Sequence, residues 1–250
     1  MTSELTGAAA GSGTREGALS AALSGLLERI DAACRAAGRD PAQVRLLPVT
    51  KFFPASDVEI LYGLGRREFG ESREQEAGAK VTQLRHLPGI DWHMIGRLQR
   101  NKSKAVARWA HTVHSVDSAR LAMALDAGVR AARDAGRRDT PLRILLQVSL
   151  DRDPGRGGVV PGDLPALADQ VASAENLQLA GLMAIPPVDA DPEPEFARLA
   201  ALHAGLVAQH PEGTELSAGM SSDLEAAIRH GSTCVRVGTA LMGARPITSG

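Results

Sequence analysis

Apolar positions along this chain switch repeatedly between two periods. From Glu16 they recur at spacings of three and four, at Leu19, Leu23, Leu26, Leu27 and Ile30, which predicts an amphipathic helix closed by Gly38. The stretch Arg45 to Lys51, RLLPVTK, is instead a short branched run that predicts a strand ending abruptly on a lysine. Pro54 opens the next helix, with Val58, Ile60, Leu61 and Leu64 on its apolar face and Gly65 at its close. The unit then repeats. Strands are predicted at Arg67–Gly70, Asp91–Gly96, His111–Val116, Leu142–Leu150, Leu177–Ile185, Glu215–Met220 and Thr233–Gly238. Helices follow at Glu71–Leu84 and Gln99–Trp109, from Asp117 or Ser118 as N-cap to Ala135, and at Asp163–Ala174, Glu195–Gln209 and Ser222–His230. The Leu142–Leu150 run is apolar almost throughout, as a strand covered on both faces requires.

About eight strand–helix units match a single (β/α)8 TIM barrel, here with an extra N-terminal helix, and 250 residues is the usual length. The competing open doubly wound sheet would carry a Gly-rich phosphate loop after an early strand, and no such motif occurs; Gly63-Leu64-Gly65 ends a helix. Residues 1–15, small and polar, are expected to be a disordered tail, and residues 16–250 the barrel domain. The composition, 44% hydrophobic and 23% charged, is that of a soluble globular chain. A net charge of −1 leaves no electrostatic footprint for nucleic acid or anionic membrane. No apolar run approaches the roughly 20 residues that span a bilayer, and the N-terminus lacks the features of a signal peptide. Cys34 and Cys234 match no metal or redox spacing and are expected to be buried small hydrophobes. The expectation is a reduced, cytoplasmic protein.

Barrel sites lie at the C-terminal ends of the strands, often with phosphate held after strands seven and eight. Lys51 stands at the first of these ends. It is either a solvated strand terminus or an amine at the mouth of an apolar core, where desolvation lowers its pKa and makes it a Schiff-base nucleophile. Gly219-Met220-Ser221-Ser222 and Gly238-Thr239 fall at the two phosphate positions. Their bland reading is a capping box, Ser222 with Glu225, and a tight turn. Arg236 alternates with Val235 and Val237; if the valines face the helices, the guanidinium faces the barrel mouth. There it requires an inward carboxylate or a ligand acceptor such as a pyridine nitrogen. His93 either lines the pocket or pairs with a neighbouring backbone carbonyl, and the structural reading is the favoured one. His111 and His114 receive no role, and the basic run Arg97, Arg100, Lys102, Lys104 and Arg108 is read as a solvated helix face, with anion binding at its outer end as the alternative.

Several stretches together resemble the YggS/PROSC family of pyridoxal phosphate homeostasis proteins, which shares the fold of the alanine racemase N-terminal barrel. They are VTK (49–51), FGES (69–72), WHMIGRLQRNK (92–102), GLMAIPP (181–187), LSAGMSSDLEAAI (216–228) and VRVGTALMGAR (235–245). The resemblance runs from about Val44 to Arg245. It implies that Lys51 carries pyridoxal 5′-phosphate as an internal aldimine. It implies that Ser221, Gly238 and Thr239 hold the phosphate, with Gly219 and Met220 supplying nearby backbone, that Ser72 lies at the cofactor ring, and that Arg236 faces the pyridine nitrogen. A permanent cation there keeps that nitrogen unprotonated and weakens the ring as an electron sink. The chain departs from the family at Ser72, where asparagine is usual, at Pro48 inside the first strand, at the apolar Phe52-Phe53, and at Arg156-Gly157-Gly158.

The implied role is a non-catalytic carrier that holds the cofactor and passes it to apo-enzymes. One alternative is a weak amino-acid racemase, which requires two bases; alanine racemase takes its second, a tyrosine, from a separate domain, whereas Tyr62 is the only tyrosine here. Another is a cofactor-free Schiff-base aldolase, which leaves Arg236 unexplained. A barrel without that partner domain is expected to stand as a monomer.

Overall fold

The computed structural model describes residues 9–151, 157–187 and 189–245, with side chains from residue 15 onward. Eight strands run in chain order: β1 (Arg45–Pro48), β2 (Glu68–Glu71), β3 (Asp91–Met94), β4 (Thr112–Val116), β5 (Leu142–Gln147), β6 (Leu177–Met183), β7 (Glu215–Ser217) and β8 (Cys234–Val237). All pair in parallel, in the order β1-β8-β7-β6-β5-β4-β3-β2. The ring closes at Val49 and Gly70, which bridge β1 to β2, and Thr50 N–H donates to Gly70 O at 3.0 Å. This is the expected (β/α)8 barrel.

Pro48 is explained by the direction of its missing donor. Arg45 and Val49 donate their N–H groups towards β8, and Thr50 donates towards β2. Alternate residues face alternate neighbours, so residue 48 would donate at the β1–β2 seam, where only one bridge forms. A proline is tolerated at such an edge. Arg66 Nη2 donates across the same seam to Leu46 O at 3.2 Å.

The helices are α1 (Ala9–Ala36), α2 (Ala55–Gly63), α3 (Glu74–Gln83), α4 (Ser103–Val106), α5 (Ala119–Asp134), α6 (Leu164–Ala172), α7 (Pro192–Gln209), α8 (Leu224–Arg229) and α9 (Thr239–Met242). Helix α1 begins at Ala9, earlier than the expected Glu16, and buries Leu19, Leu23, Leu26, Ile30 and Cys34 while Leu27 stays exposed. It packs against α2, α8 and α9. The expected helix Gln99–Trp109 is broken into a 3-10 turn at Arg100–Lys102 followed by the single turn of α4. Ser222 and Glu225 form no capping box: Asp223 occupies the N-cap position of α8, without a side-chain cap bond, and Glu225 pairs with Arg29 of α1. Cys34 and Cys234 are both free and buried. No helix among the described residues is long and apolar enough to cross a membrane.

One apolar layer lies between the strands and the helices. It includes Val113, Ile144, Leu146, Leu182 and Leu216 on one side of the barrel, and Val235 and Val237 with Leu19, Leu61 and Phe69 on the other. The barrel interior is more polar. Arg45, Glu68, Arg143 and Glu215 close its floor as an ion-pair cluster, with Arg45 Nε 3.3 Å from Glu68 and Arg143 Nη2 2.9 Å from Glu215.

Candidate functional site

A cavity of about 440 Å3 opens at the C-terminal ends of the strands, within the rough 300–1,000 Å3 span of small-ligand sites. Lys51, Ser72, Met220, Ser221, Arg236, Gly238 and Thr239 all line it. Gly219 does not. A Cβ there would meet Ala227 Cβ at 2.6 Å, and its φ is +92°, so packing on α8 dictates this glycine. Arg156 lies outside the described residues.

Lys51 stands three residues beyond the end of β1, half-buried, and its amine has no hydrogen-bond or ion-pair partner among the described residues. Burial holds its pKa below the ordinary 10.5, reinforced by Arg245 and Arg73 and opposed by Glu71 and Glu76. The loop that presents it is braced from beneath. Lys80 of α3, itself buried, donates to Thr50 O and to Glu71, each at 2.7 Å, and lies 3.2 Å from Glu76. Thr50 Oγ1 donates to the same Glu71 oxygen at 2.6 Å, and Phe52 N–H donates to Glu76 at 2.5 Å. Burial pushes the Glu71 pKa up, against the pull of Lys80 and Thr50. Phe52 is held at φ 69°, a left-handed conformation costly for an aromatic residue. Its ring sits near three cations: Arg245 at 4.7 Å, Arg73 at 4.8 Å and Lys51 at 5.8 Å.

On the opposite wall, Ser221 Oγ accepts from Ala240 N at 3.4 Å, so the loops after β7 and β8 meet. Helix α1 secures this corner, because Arg29 Nη1 donates to Ser221 O at 2.8 Å. Gly238 leads into α9, where a Cβ would meet nothing nearer than Val49 Cβ at 3.6 Å. Ser72 forms part of the rim, and its carbonyl packs so closely on Gly96 that a Cβ there would lie 2.2 Å away.

Arg236 is buried with its guanidinium on the cavity, while Val235 and Val237 face the helices, as strand alternation requires. It is tethered through Nη1 to Ser217 Oγ at 2.7 Å and through Nη2 to Ala184 O at 3.0 Å. Burial lowers its pKa from the ordinary arginine value, yet a guanidinium stays protonated at physiological pH. No carboxylate pairs with it among the described residues, so the acceptor anticipated for it is not an inward acid. His93 pairs with His114, Nδ1 to Nε2 at 2.8 Å, instead of with a backbone carbonyl. His114, assigned no role from sequence, reaches Ser217 Oγ at 3.0 Å.

The sequence reading missed Lys80 and Glu71 beneath Lys51, and His114 and Ser217 behind Arg236. One signal for Lys80 was available: it falls on the helix face carrying Ala77 and Leu84, where a lysine is out of pattern. A free amine, a hydroxyl–amide corner and a fixed guanidinium in one cavity suit a ligand with an electrophilic carbon, an anionic group and a neutral acceptor. No group of three metal-ligating side chains is gathered among the described residues.

The alanine racemase N-terminal domain family model matches residues 22–246. A pyridoxal phosphate homeostasis protein of Mycobacterium tuberculosis H37Rv is 53% identical over 247 residues, covering 94% of this chain and 96% of the relative. The structure of PipY from Synechococcus elongatus with PLP bound superposes with a TM-score of 0.74 at 38% identity, over 87% of this chain and all of that one. The crystal structure of a protein from Bifidobacterium adolescentis superposes with a TM-score of 0.83 at 31% identity, over 96% of this chain and 98% of that one.

Proposed function

This chain belongs to the pyridoxal phosphate homeostasis protein family within the alanine racemase N-terminal barrels, and on that premise we propose that it binds pyridoxal 5′-phosphate (PLP) covalently at Lys51 and holds it for cellular supply without catalytic turnover. The observation that carries this reading is the pairing, across one cavity, of an amine whose pKa burial lowers with a tethered guanidinium, neither of which has a carboxylate partner among the described residues.

The residues present fit the cofactor. When bound, PLP supplies an aldehyde that combines with amines and a ring that can act as an electron sink. Lys51 would be the amine that combines with that aldehyde, with loss of water, and its lowered pKa leaves more of it neutral near pH 7 than an exposed lysine would have. Ser221, with the backbone of Gly238 and Thr239, would hold the phosphate. Arg236 would face the ring nitrogen as a donor that does not surrender its proton, which discourages carbanion chemistry. Ser72 would lie along the ring, with a shorter reach than asparagine.

A carrier is favoured over a racemase because the one tyrosine is committed elsewhere: Tyr62 Oη donates to Pro88 O at 2.9 Å, and Tyr62 does not line the cavity. Arg236 likewise disfavours a cofactor-free aldolase, which has no use for it. On this reading the barrel, residues 16–250, is the binding unit, works as a monomer in the cytoplasm, and gives up PLP to apo-enzymes.

The test is the visible spectrum of wild type beside Lys51→Ala, before and after borohydride. Wild type loaded with PLP should absorb in the visible and lose that band on reduction, and K51A should show neither. A colourless wild type in excess PLP would sink the reading. Racemisation of an added amino acid at an enzyme-like rate would replace carrier with enzyme.

A further inference from the structure

Behind Arg236 a line of buried polar side chains crosses the barrel, and its hydrogen-bond polarity can be worked out link by link. Arg236 Nη1 donates to Ser217 Oγ at 2.7 Å. A guanidinium has no acceptor, so the Ser217 hydroxyl proton cannot point back at it. The other neighbour is His114 Nδ1, 3.0 Å away. If that nitrogen carried a proton, the hydroxyl hydrogen would be left buried and unpartnered, which is expensive at a fully buried serine. His114 Nδ1 is therefore bare, and the ring's proton sits on Nε2. That nitrogen lies 2.8 Å from His93 Nδ1, which must accept. His93 in turn holds its proton on Nε2, on the side of the Glu68 carboxylate in the barrel floor; at 3.7 Å this is an electrostatic contact and not a hydrogen bond, so the hydrogen-bond chain ends at His93.

We propose that Ser217, His114 and His93 are positioning residues that form a one-way hydrogen-bond chain from His93 to Arg236, and that this chain holds the guanidinium as a fixed donor towards the cavity. The proposal deepens the PLP reading of the cavity and rests on it for its functional half. Both rings are fully buried, and burial drives their pKa values well below 6.5, so they stay neutral as the chain demands. An imidazolium at His114 would reverse the link to Ser217 and set a second cation beside Arg236. Ala184 O holds the other guanidinium nitrogen, so two acceptors on different strands' ends define its plane.

Two measurements test this, and they fail separately. The first is 15N NMR of histidine side chains in the full chain stripped of PLP. His93 and His114 should both be neutral with the proton on Nε2; a proton on His114 Nδ1 would overturn the chain. The second compares PLP affinity and the visible band of wild type with Ser217→Ala, His114→Phe and His114→Gln. S217A and H114F should each lose about tenfold or more in affinity, the scale of one hydrogen bond to a charged group, and shift the band. H114Q, which can accept from Ser217 and donate to His93 but cannot ionise, should recover most of what H114F loses. Wild-type affinity and spectrum in a folded S217A would overturn the positioning role, even if H114F does not fold. If wild type itself takes up no PLP while the NMR result holds, the PLP reading has failed and the hydrogen-bond chain has not.

Discussion

Replacing Lys80 by methionine should damage both the stability of the barrel and the presentation of Lys51. The Lys80 and Glu71 side chains are 6% and 0% exposed, and their ion pair measures 2.7 Å. Methionine keeps the apolar stem and removes the ammonium. Glu71 would then retain only the Thr50 hydroxyl, since its second oxygen already has no partner in the structure. Breaking a buried pair from one side costs about 3–5 kcal/mol, because the remaining charge is stranded. At 2–4 °C per kcal/mol for a chain of this size, the melting temperature should fall by roughly 6–20 °C. Urea unfolding of K80M, E71Q and the double variant gives the numbers, and the double should cost clearly less than the two singles summed. The Thr50 carbonyl would also lose its Lys80 donor, so Lys51 should take up PLP more slowly even where K80M is fully folded. A cost below about 1 kcal/mol for K80M would refute the reasoning, since a surface-like pair has that value.

Acid should destabilise the protein through His93 and His114. Their folded pKa values are lowered from 6.5, so the unfolded chain binds the extra protons; the contribution is complete above pH 6.5 and declines as pH falls below it, by up to about 1.4 kcal/mol per pH unit for each ring. Urea unfolding between pH 7 and 5 should show this slope, and H114Q should flatten it; identical slopes would count against neutral rings. Arg245→Gln should raise the Lys51 pKa, since Arg245 is the largest charge lowering it after burial, and the pH profile of Lys51 acylation should move up with it. Gly96→Ala should unfold the rim or block PLP uptake, its Cβ falling 2.2 Å from Ser72 O, whereas Gly25→Ala, with nothing within 4 Å in α1, should stabilise by about 0.5–1 kcal/mol. Thermal melts of the two variants should therefore move in opposite directions.

Local pattern sufficed for the barrel and for much of its mouth. The strand–helix alternation is a matter of period, and the position of Lys51 follows from where an apolar run stops. Strand alternation alone turns Arg236 inward once Val235 and Val237 are given to the helices. The long stretches at 92–102 and 216–245 added the family and the ligand class. Partners were another matter. Glu225 looked like half of a capping box with Ser222 because the spacing was right, but Arg29, 196 residues away in sequence, holds it instead. Pro48 looked misplaced until the seam between β1 and β2 showed that its missing N–H faces the gap. Lys80 and Glu71 are nine residues apart, yet their burial depends on the Thr50 loop folding over them. His114 and Ser217 are 103 residues apart, and only barrel closure puts them in contact. The sequence by itself determined the strand–helix alternation and the placement of Lys51 and Arg236 at the barrel mouth, because periodicity and strand alternation are properties of neighbours along the chain. The tertiary structure decided what each charge and hydrogen-bonding group is paired with, because burial and polar satisfaction are properties of everything that surrounds a group in space.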